Sequence, residues 1–418
     1  MSNSALSIQI RLSVMMFLQF FVWGAWFVTV GNYMAERNMT DSISAAYSVG
    51  YVAAMISPFF LGMVADRFFS TQKVLGVLHL LGGVVMILPP MLATPEKADT
   101  FVLVIFVHML CYMPTLGLVN TLSFHNLTNQ EKQFPLIRVF GTLGWIAANN
   151  VVSGLLGADK TDQQFYVTAG AAVLLGVYSF FLPSTPPPAR GKKVTAKEVL
   201  GLEALSLLRD PSFAIFVVCS FLICIPLAAY YAYAPVFISS AGVEKVGSLM
   251  SLGQVSEVFF MVVMPLCFAR LGVKWMLAVG MLAWVIRYGA FAGAADNGTM
   301  ALIVLGVLLH GICYDFFFVT GQIYVDQKAP LEVRGKAQGL LVFVTIGVGM
   351  LIGTLVSGEL VAQHTTSSTG VDGTVENVVN WFQVWIAPTV GSAVILLIFV
   401  SLFRRRAPKK ADDAAGAA

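Results

Sequence analysis

Apolar stretches of roughly 20 residues recur along the whole chain and are separated by short polar segments. Each stretch is long enough to cross ~30 Å of hydrocarbon as an α-helix. The pattern predicts about twelve membrane-spanning helices, here called spans 1 to 12, at residues 12–34, 44–64, 74–94, 101–123, 136–157, 164–182, 212–238, 248–269, 275–294, 300–324, 338–362 and 382–403.

The composition supports a membrane protein. Of 418 residues, 57% are hydrophobic and 11% are charged, whereas soluble domains carry about 25% charged residues. The five cysteines all fall within apolar stretches and show no metal-binding spacing, so we interpret them as small core residues. We therefore expect an all-α polytopic membrane protein with the lipid bilayer as its surroundings.

The positions of the basic residues predict the orientation of the chain. With both termini on one side, that side holds 20 of the 25 lysines and arginines and the opposite side holds four, while Arg287 lies within span 9. Cytoplasmic loops are enriched in basic residues. We therefore expect a multi-pass protein of the cell (inner) membrane with cytoplasmic termini. The net charge of +3 reflects this asymmetry and does not indicate a nucleic-acid partner.

A Pro-rich basic segment, PSTPPPARGKKVTAKE, divides the chain after span 6. It predicts two six-helix halves, residues 1–182 and 212–403, joined by a cytoplasmic linker at 183–211 and followed by a basic tail at 404–418. The loops before spans 5 and 11 correspond in the two halves (IRVFGTLG and VRGKAQGL). Two related halves are typical of transporters that move around a central site, and we expect the protein to act as a monomer.

Span 10 carries a carboxylate within an apolar run, HGICYDFFFVTGQIYVD. At 100° per residue, His310 lies at about 0°, Tyr314 at about 40° and Asp315 at about 140°, so these polar groups share one side of a regular helix. The stripe predicts the lining of a wet or ligand-filled cavity. The alternative is a polar contact between helices that is satisfied within the protein.

Span 5 carries a second polar stripe. Arg138, Thr142, Trp145 and Asn149 follow one another at i, i+4, i+7 and i+11, within about 60° of one face. The indole could stack on a ring, and the polar groups could bind base edges or ribose hydroxyls. For Arg138, an anchoring role near the cytoplasmic end is the alternative.

Two acids lie near the middle of the predicted spans. Glu257 follows Gln254 on one face of span 8, about ten residues from the outer end, and Asp315 is the other mid-span acid. Burial disfavours the charged form of a carboxyl group, so either acid could carry a proton, or the two could titrate as a coupled pair. Alternatively, one of them neutralises Arg287.

Aromatic residues form further stripes. Span 1 places Gln19, Trp23 and Trp26 on one face, and span 7 carries Tyr230, Tyr231 and Tyr233. Such stripes indicate either packing or ligand contacts, and Tyr231 is the candidate ligand contact on span 7.

Several motifs resemble known transporters. Gly62, Asp66 and Arg67, followed by Lys73, look like the loop between spans 2 and 3 of the major facilitator superfamily. Within that superfamily, the chain resembles the nucleoside:proton symporter family in the segments FLQFFVWGAWFVTVGNYM, YMPTLGLVNTLSF, FPLIRVFGTLGW, GQVSEVFF and YDFFFVTG. The resemblance implies the major facilitator fold and a gating role for the loop. It also implies substrate or coupling roles for Arg138, Thr142, Gln254, Glu257 and Asp315.

The sequence departs from the family pattern at several candidate site positions. Two amide side chains on span 7 are replaced by Ala228 and Tyr231, and Trp145 stands where phenylalanine is usual. His310 and Tyr314 replace a tyrosine and a phenylalanine. These changes leave the identity of the nucleoside open.

Together these features predict proton-coupled nucleoside uptake by alternating access, with protons as coupling ions and no cofactor or metal. The alternatives are proton-coupled transport of another polar solute such as a sugar, or drug efflux by antiport. Because the sequence shows no nucleophile–base pair, no HExxH motif and no sizeable soluble domain, we do not expect an enzyme or a receptor.

Overall fold

The structure is a computed structural model that describes residues 3–61, 68–187, 202–330, 333–369 and 375–404. The first six spans contain the helices Asn3–Phe27 and Val30–Glu36 (span 1), Ile43–Phe60 (span 2), Thr71–Val85 (span 3), Ala98–Asn126 (span 4), Gln130–Asn149 (span 5) and Gln163–Ser179 (span 6). Short 3-10 helices at Thr40–Ser42, Pro89–Leu92 and Pro95–Lys97 connect them.

The last six spans follow a 3-10 helix at Leu202–Arg209. They contain the helices Pro211–Ser240 (span 7), Val246–Asn297 (spans 8 and 9), Met300–Leu308, His310–Cys313 and Thr320–Lys328 (span 10), Arg334–Val342 and Met350–Gln363 (span 11) and Trp381–Leu402 (span 12). A helix therefore lies at each of the predicted span positions.

The helix Val246–Asn297 is 52 residues long, but it is not one membrane crossing. Gly272 interrupts it with φ 65° and ψ 176°, a backbone conformation that is essentially restricted to glycine. The chain turns there, which separates span 8 from span 9. Within the described residues, nine helices have the length and apolar character of a membrane span when this helix is counted once. The helix of span 6 has only 17 residues.

Polar residues begin several of the helices. Asn129, Asp210 and Asn380 each accept a hydrogen bond from the backbone N–H three residues later, at the starts of spans 5, 7 and 12. Such side chains satisfy backbone donors that have no partner within the helix. The sequence thus fixes where these three spans begin.

Spans 5, 10 and 11 contain a wider helical turn. The π-helical segments are Asn150–Leu155 at the end of span 5, Tyr314–Val319 in span 10 and Phe343–Gly349 in span 11. A π-helical turn holds more residues than an α-helical turn, so it shifts the faces of the residues that follow it.

A small β-hairpin lies between spans 11 and 12. Strand β1 (Thr365–Thr369) pairs antiparallel with strand β2 (Val375–Val379), and Thr365 lies opposite Val379. A search for long apolar stretches does not reveal such a short polar hairpin.

The spans divide into inner and outer helices. Spans 3 and 6 pack against each other at one edge of the bundle, and spans 9 and 12 do so at the other edge. Spans 2 and 11 meet across the centre, as do spans 5 and 8. These two contacts and a contact between spans 1 and 7 join the first six spans to the last six, and a cavity lies between them.

Candidate functional site

A cavity of about 170 Å³ lies between the first six spans and the last six. This volume is more than ten times the ~10–15 Å³ that a single water needs on the same measure, so the cavity can hold an organic solute. Its lining comprises Phe20, Trp23, Phe27, Tyr51, Arg138, Thr142, Trp145, Leu227, Tyr231, Gln254, Glu257, His310, Tyr314, Ile346 and Met350. Of the nine candidate substrate-binding residues, Asp315 is not in this set, and the other eight are: Arg138, Thr142, Trp145, Tyr231, Gln254, Glu257, His310 and Tyr314.

Span 5 contributes three of them from one face. Arg138, Thr142 and Trp145 all line the cavity, and the Arg138 guanidinium carbon lies 4.1 Å from the centre of the Phe20 ring. The predicted stripe ends there, because Asn149 is buried and its side-chain amide donates to the Trp145 carbonyl oxygen at 3.0 Å. Arg138 therefore faces the cavity, as the stripe predicts.

Spans 8 and 10 form the opposite wall through a close contact. A Cβ atom at Gly311 would overlap the backbone of Ser256, so only glycine allows the two helices to approach this closely. The Ser256 hydroxyl also donates to the Leu308 carbonyl oxygen across the same contact. The approach places His310 Nε2 4.0 Å from a carboxylate oxygen of Glu257.

Asp315 differs from the prediction for a regular helix. Its side chain is fully buried and does not line the cavity. On the predicted helix Asp315 lies about 100° from Tyr314, at the edge of the polar stripe, and the structure buries it there, at the start of the π-helical segment Tyr314–Val319. Among the described residues, neither carboxylate oxygen of Asp315 has a hydrogen-bond partner.

Arg287 is not the counter-ion of either acid. Its side chain is fully buried, its Nε donates to the Gly306 carbonyl oxygen at 2.8 Å, and its Nη2 lies 3.0 Å from His310 Nδ1. No ion pair between Arg287 and Glu257 or Asp315 occurs in the described part of the chain. The alternative in which an acid neutralises Arg287 by direct contact is therefore wrong.

Aromatic rings close one end of the cavity. Phe27, Trp145 and Tyr231 come from spans 1, 5 and 7, and the ring of Phe27 lies 6.1 Å from each of the other two. Trp23 adds an edge contact to Trp145 at 5.5 Å. Beyond this layer lies a space of only about 10 Å³.

The other end of the cavity leads to a wider space. A vestibule of about 680 Å³ lies between the ends of spans 2, 4 and 10 and the start of span 11, and it shares Ile346 with the cavity. This is the side on which span 1 begins and span 12 ends. Gln322 of span 10 lines the vestibule.

A carboxylate joins the two sets of spans on the far side. Asp159 follows span 5, and one of its oxygens accepts hydrogen bonds from the Ser153 hydroxyl and from the N–H groups of Val246 and Gly247 at the start of span 8. The structure is thus closed on the far side and open towards the vestibule.

Sequence reasoning missed several apolar residues of the lining. Phe20, Trp23 and Phe27 lie at i, i+3 and i+7 on span 1, and this spacing could have identified Phe20 and Phe27. The polar members of the predicted span 1 stripe behave differently, since Gln19 donates to Thr115 and contacts His79. The remaining missed residues are Tyr51, Leu227, Ile346 and Met350.

The predicted gating residues Gly62, Asp66 and Arg67 lie outside the described residues. Of the departures on span 7, Tyr231 lines the cavity, whereas Ala228 is buried. In the part of the chain that the structure describes, no group of three or more histidine, cysteine or acidic residues could hold a metal ion.

Comparisons with known proteins agree with this architecture. The model of the nucleoside H+ symporter family matches residues 6–408. YegT of Escherichia coli (strain K12) is 40% identical over 94% of this chain and 93% of its own length. The nucleoside permease NupG of the same organism is 31% identical over 96% of each chain. A crystal structure of the nucleoside transporter NupG superposes with a TM-score of 0.83 and covers 96% of this chain and 100% of that one.

Proposed function

The chain belongs to the nucleoside H+ symporter family, and from this membership and its cavity we propose that it takes up nucleosides together with protons. It is a multi-pass membrane transporter with the major facilitator fold. In our proposal it lies in the cell membrane with its termini in the cytoplasm, so the vestibule opens to the cytoplasm. The halves 1–182 and 212–403 would then move to open the far side.

The composition of the cavity lining is the observation that carries the proposal. Ring-bearing side chains (Trp23, Trp145, Tyr231 and Tyr314) lie around the same space as side chains that form hydrogen bonds (Arg138, Thr142, Gln254, Glu257 and His310). A nucleoside combines a flat base with a ribose that carries hydroxyl groups. Aromatic rings can stack on the base, and polar groups can bind the base edge and the hydroxyls.

The two acids support the proton-coupling part of the proposal. Glu257 lines the cavity and is 16% exposed in its side chain, while Asp315 lies behind the lining. A proton bound by this pair could be exchanged as the cavity opens to one side and then to the other, so proton release would be tied to the movement of the solute.

Uptake of labelled uridine into proteoliposomes tests the proposal. We expect uptake against a gradient when the outside is more acidic, loss of accumulation with a protonophore, and no effect when choline replaces sodium. A panel of nucleosides, free bases and sugars should compete in that order of strength. Sodium-dependent uptake that survives the protonophore would refute proton coupling, and stronger competition by sugars would refute the nucleoside assignment.

A further inference from the structure

Arg287 links three spans behind the cavity. It lies on span 9, it donates to the Gly306 carbonyl of span 10, and its guanidinium carbon lies 3.6 Å from the centre of the Tyr230 ring on span 7. The same guanidinium contacts His310 Nδ1 at 3.0 Å. Arg287 does not line the cavity itself, so it can affect a solute there only through another residue.

The contact with Arg287 decides which nitrogen of His310 carries a proton. A guanidinium has only donors, so His310 Nδ1 has to accept the hydrogen bond and cannot carry a hydrogen. Neutral histidine then carries its proton on Nε2, and the doubly protonated form is excluded while the contact lasts. The Tyr230 ring stacks on the imidazole, with 5.6 Å between centroids, and restrains its orientation.

The Nε2–H group faces the cavity. It points towards Glu257, but 4.0 Å is too long for a hydrogen bond, and Nε2 has no hydrogen bond to the described residues. The rings of Tyr230, Tyr231 and Tyr314 also contact the imidazole. His310 therefore presents a donor with a fixed direction.

We propose that Arg287 is a positioning residue that holds His310 as a neutral Nε2–H donor, and that this donor selects solutes with a hydrogen-bond acceptor at that place. For a nucleoside, the acceptor would be a base carbonyl oxygen, a ring nitrogen or a ribose oxygen. The choice of nucleosides as probes rests on the proposed function. The state of His310 does not depend on it.

Nitrogen NMR on protein labelled with ¹⁵N-histidine tests the tautomer without any substrate. The His310 signals are assigned by their absence from His310→Gln. We expect an Nε2–H tautomer that persists from pH 5 to pH 8 in the wild type and in Arg287→Lys, since lysine also offers only donors. A protonated Nδ1, or titration of His310 near pH 6.5 in the wild type, would overturn the proposal.

Removing the donor of Arg287 should free the tautomer of His310. In Arg287→Met no guanidinium holds Nδ1 as an acceptor, so we expect an Nδ1–H tautomer to appear beside Nε2–H in the ¹⁵N spectrum and uridine affinity to fall. The fall should be much smaller when Arg287→Met is made in the His310→Gln background. A purely structural role for Arg287 would leave the tautomer unchanged and lower affinity equally in both backgrounds, and that result would contradict the proposal.

Affinity measurements on His310 variants test the donor itself. His310→Phe should weaken uridine binding roughly three- to tenfold, as expected for one neutral hydrogen bond, and His310→Gln should recover part of the loss. If the wild type, His310→Phe and His310→Gln bind uridine with equal affinity, His310 is not a donor to the substrate. If uridine does not bind at all while the NMR result holds, the nucleoside assignment fails and the Arg287–His310 assignment stands.

Discussion

Trp145 and Gln254 project into the cavity from spans 5 and 8, on opposite sides of the contact between the halves. A tryptophan can stack on a base, and a glutamine amide can both donate and accept hydrogen bonds. Each side chain thus supplies one part of the recognition that a nucleoside requires.

Replacing either residue with alanine should weaken substrate binding. We expect Trp145→Ala and Gln254→Ala each to lose ~1–3 kcal/mol of binding free energy, because a buried contact is removed in each. Equilibrium binding of labelled uridine to purified protein measures the loss. Trp275→Ala is the matched control, since Trp275 is 52% exposed and lies outside the cavity lining. Unchanged affinity in both variants would place the ligand elsewhere.

Asp315 poses a different question, because it is buried without a partner among the described residues. If Asp315 carries the coupling proton, Asp315→Asn should bind uridine and exchange it across the membrane but fail to accumulate it. Because no cation of the described residues is paired with Asp315, we expect little change in melting temperature. Counterflow and proton-driven uptake on one preparation separate the two activities.

Asp326→Asn serves as the control for Asp315→Asn. Asp326 lies farther along span 10 and pairs with Arg334 at 3.3 Å, with about half of its side chain exposed, so this variant should accumulate uridine normally. Normal accumulation by Asp315→Asn would assign the proton to another group, for which Glu257 is the candidate.

At the scale of the element, hydrophobic patterning predicted much of the architecture. Helices lie at the predicted span positions, and the face of span 5 was predicted correctly from Arg138 to Trp145. The exceptions depend on contacts that periodicity does not reveal. Asp315 lies at the edge of the predicted span 10 stripe, and packing buries it behind the lining. Asn149, at the end of the span 5 stripe, makes a hydrogen bond within its own helix.

The start of span 7 is held by Asp210, which accepts a hydrogen bond from the Phe213 N–H and pairs with Lys328 at 2.9 Å. Partial burial raises the pKa of Asp210, but the hydrogen bonds from Lys328 and Phe213 and the positive charge of Lys328 outweigh it and lower that pKa below 3.8. The ionised form is therefore favoured in the folded protein. Its stabilisation is present above pH 3.8 and is lost as the pH falls through the lowered pKa.

Two substitutions separate the roles of Asp210. Asn is also a good helix cap, so Asp210→Asn should lose only the ion pair, about 0.2–1 kcal/mol, whereas Asp210→Ala should lose a further ~0.5–2 kcal/mol. Thermal melting at pH 7 measures both. The difference between wild type and Asp210→Asn should shrink as the pH is lowered towards 3, and a difference that grows on acidification would contradict this assignment.

At the scale of the whole molecule, Asp159 is a contact between the halves on the closed side. It bridges the end of span 5 and the start of span 8 through the Val246 and Gly247 amides. Those amides are the unpaired donors of a helix N-terminus, where a negative charge is favourable. Opening this side requires the carboxylate to leave them.

Asp159→Ala should therefore favour the conformation that is open on the far side. Spin labels at Glu96, in the 3-10 helix Pro95–Lys97, and at Asn297, the last residue of the helix Val246–Asn297, would report the separation by pulsed EPR, since both residues are exposed. We expect a larger population at long distances than in the wild type. Asp162→Ala is the control, because Asp162 binds Arg37 and Tyr33 within the first six spans and its loss should leave the distance distribution unchanged.

The neutrality of His310 has an electrical consequence. Four charged side chains then remain in and behind the cavity: Arg138, Arg287, Glu257 and Asp315. With both acids ionised their charges sum to zero, and with one proton bound they sum to one positive charge. Moving the single positive charge of the loaded form across the full membrane changes its free energy by about 2.3 kcal/mol per 100 mV of membrane voltage. The empty form has no net charge, so the voltage exerts no net force on it. Uridine should therefore evoke an inward current, and only the conformational change of the loaded form should depend on voltage. A current that is absent or outward would contradict this charge balance.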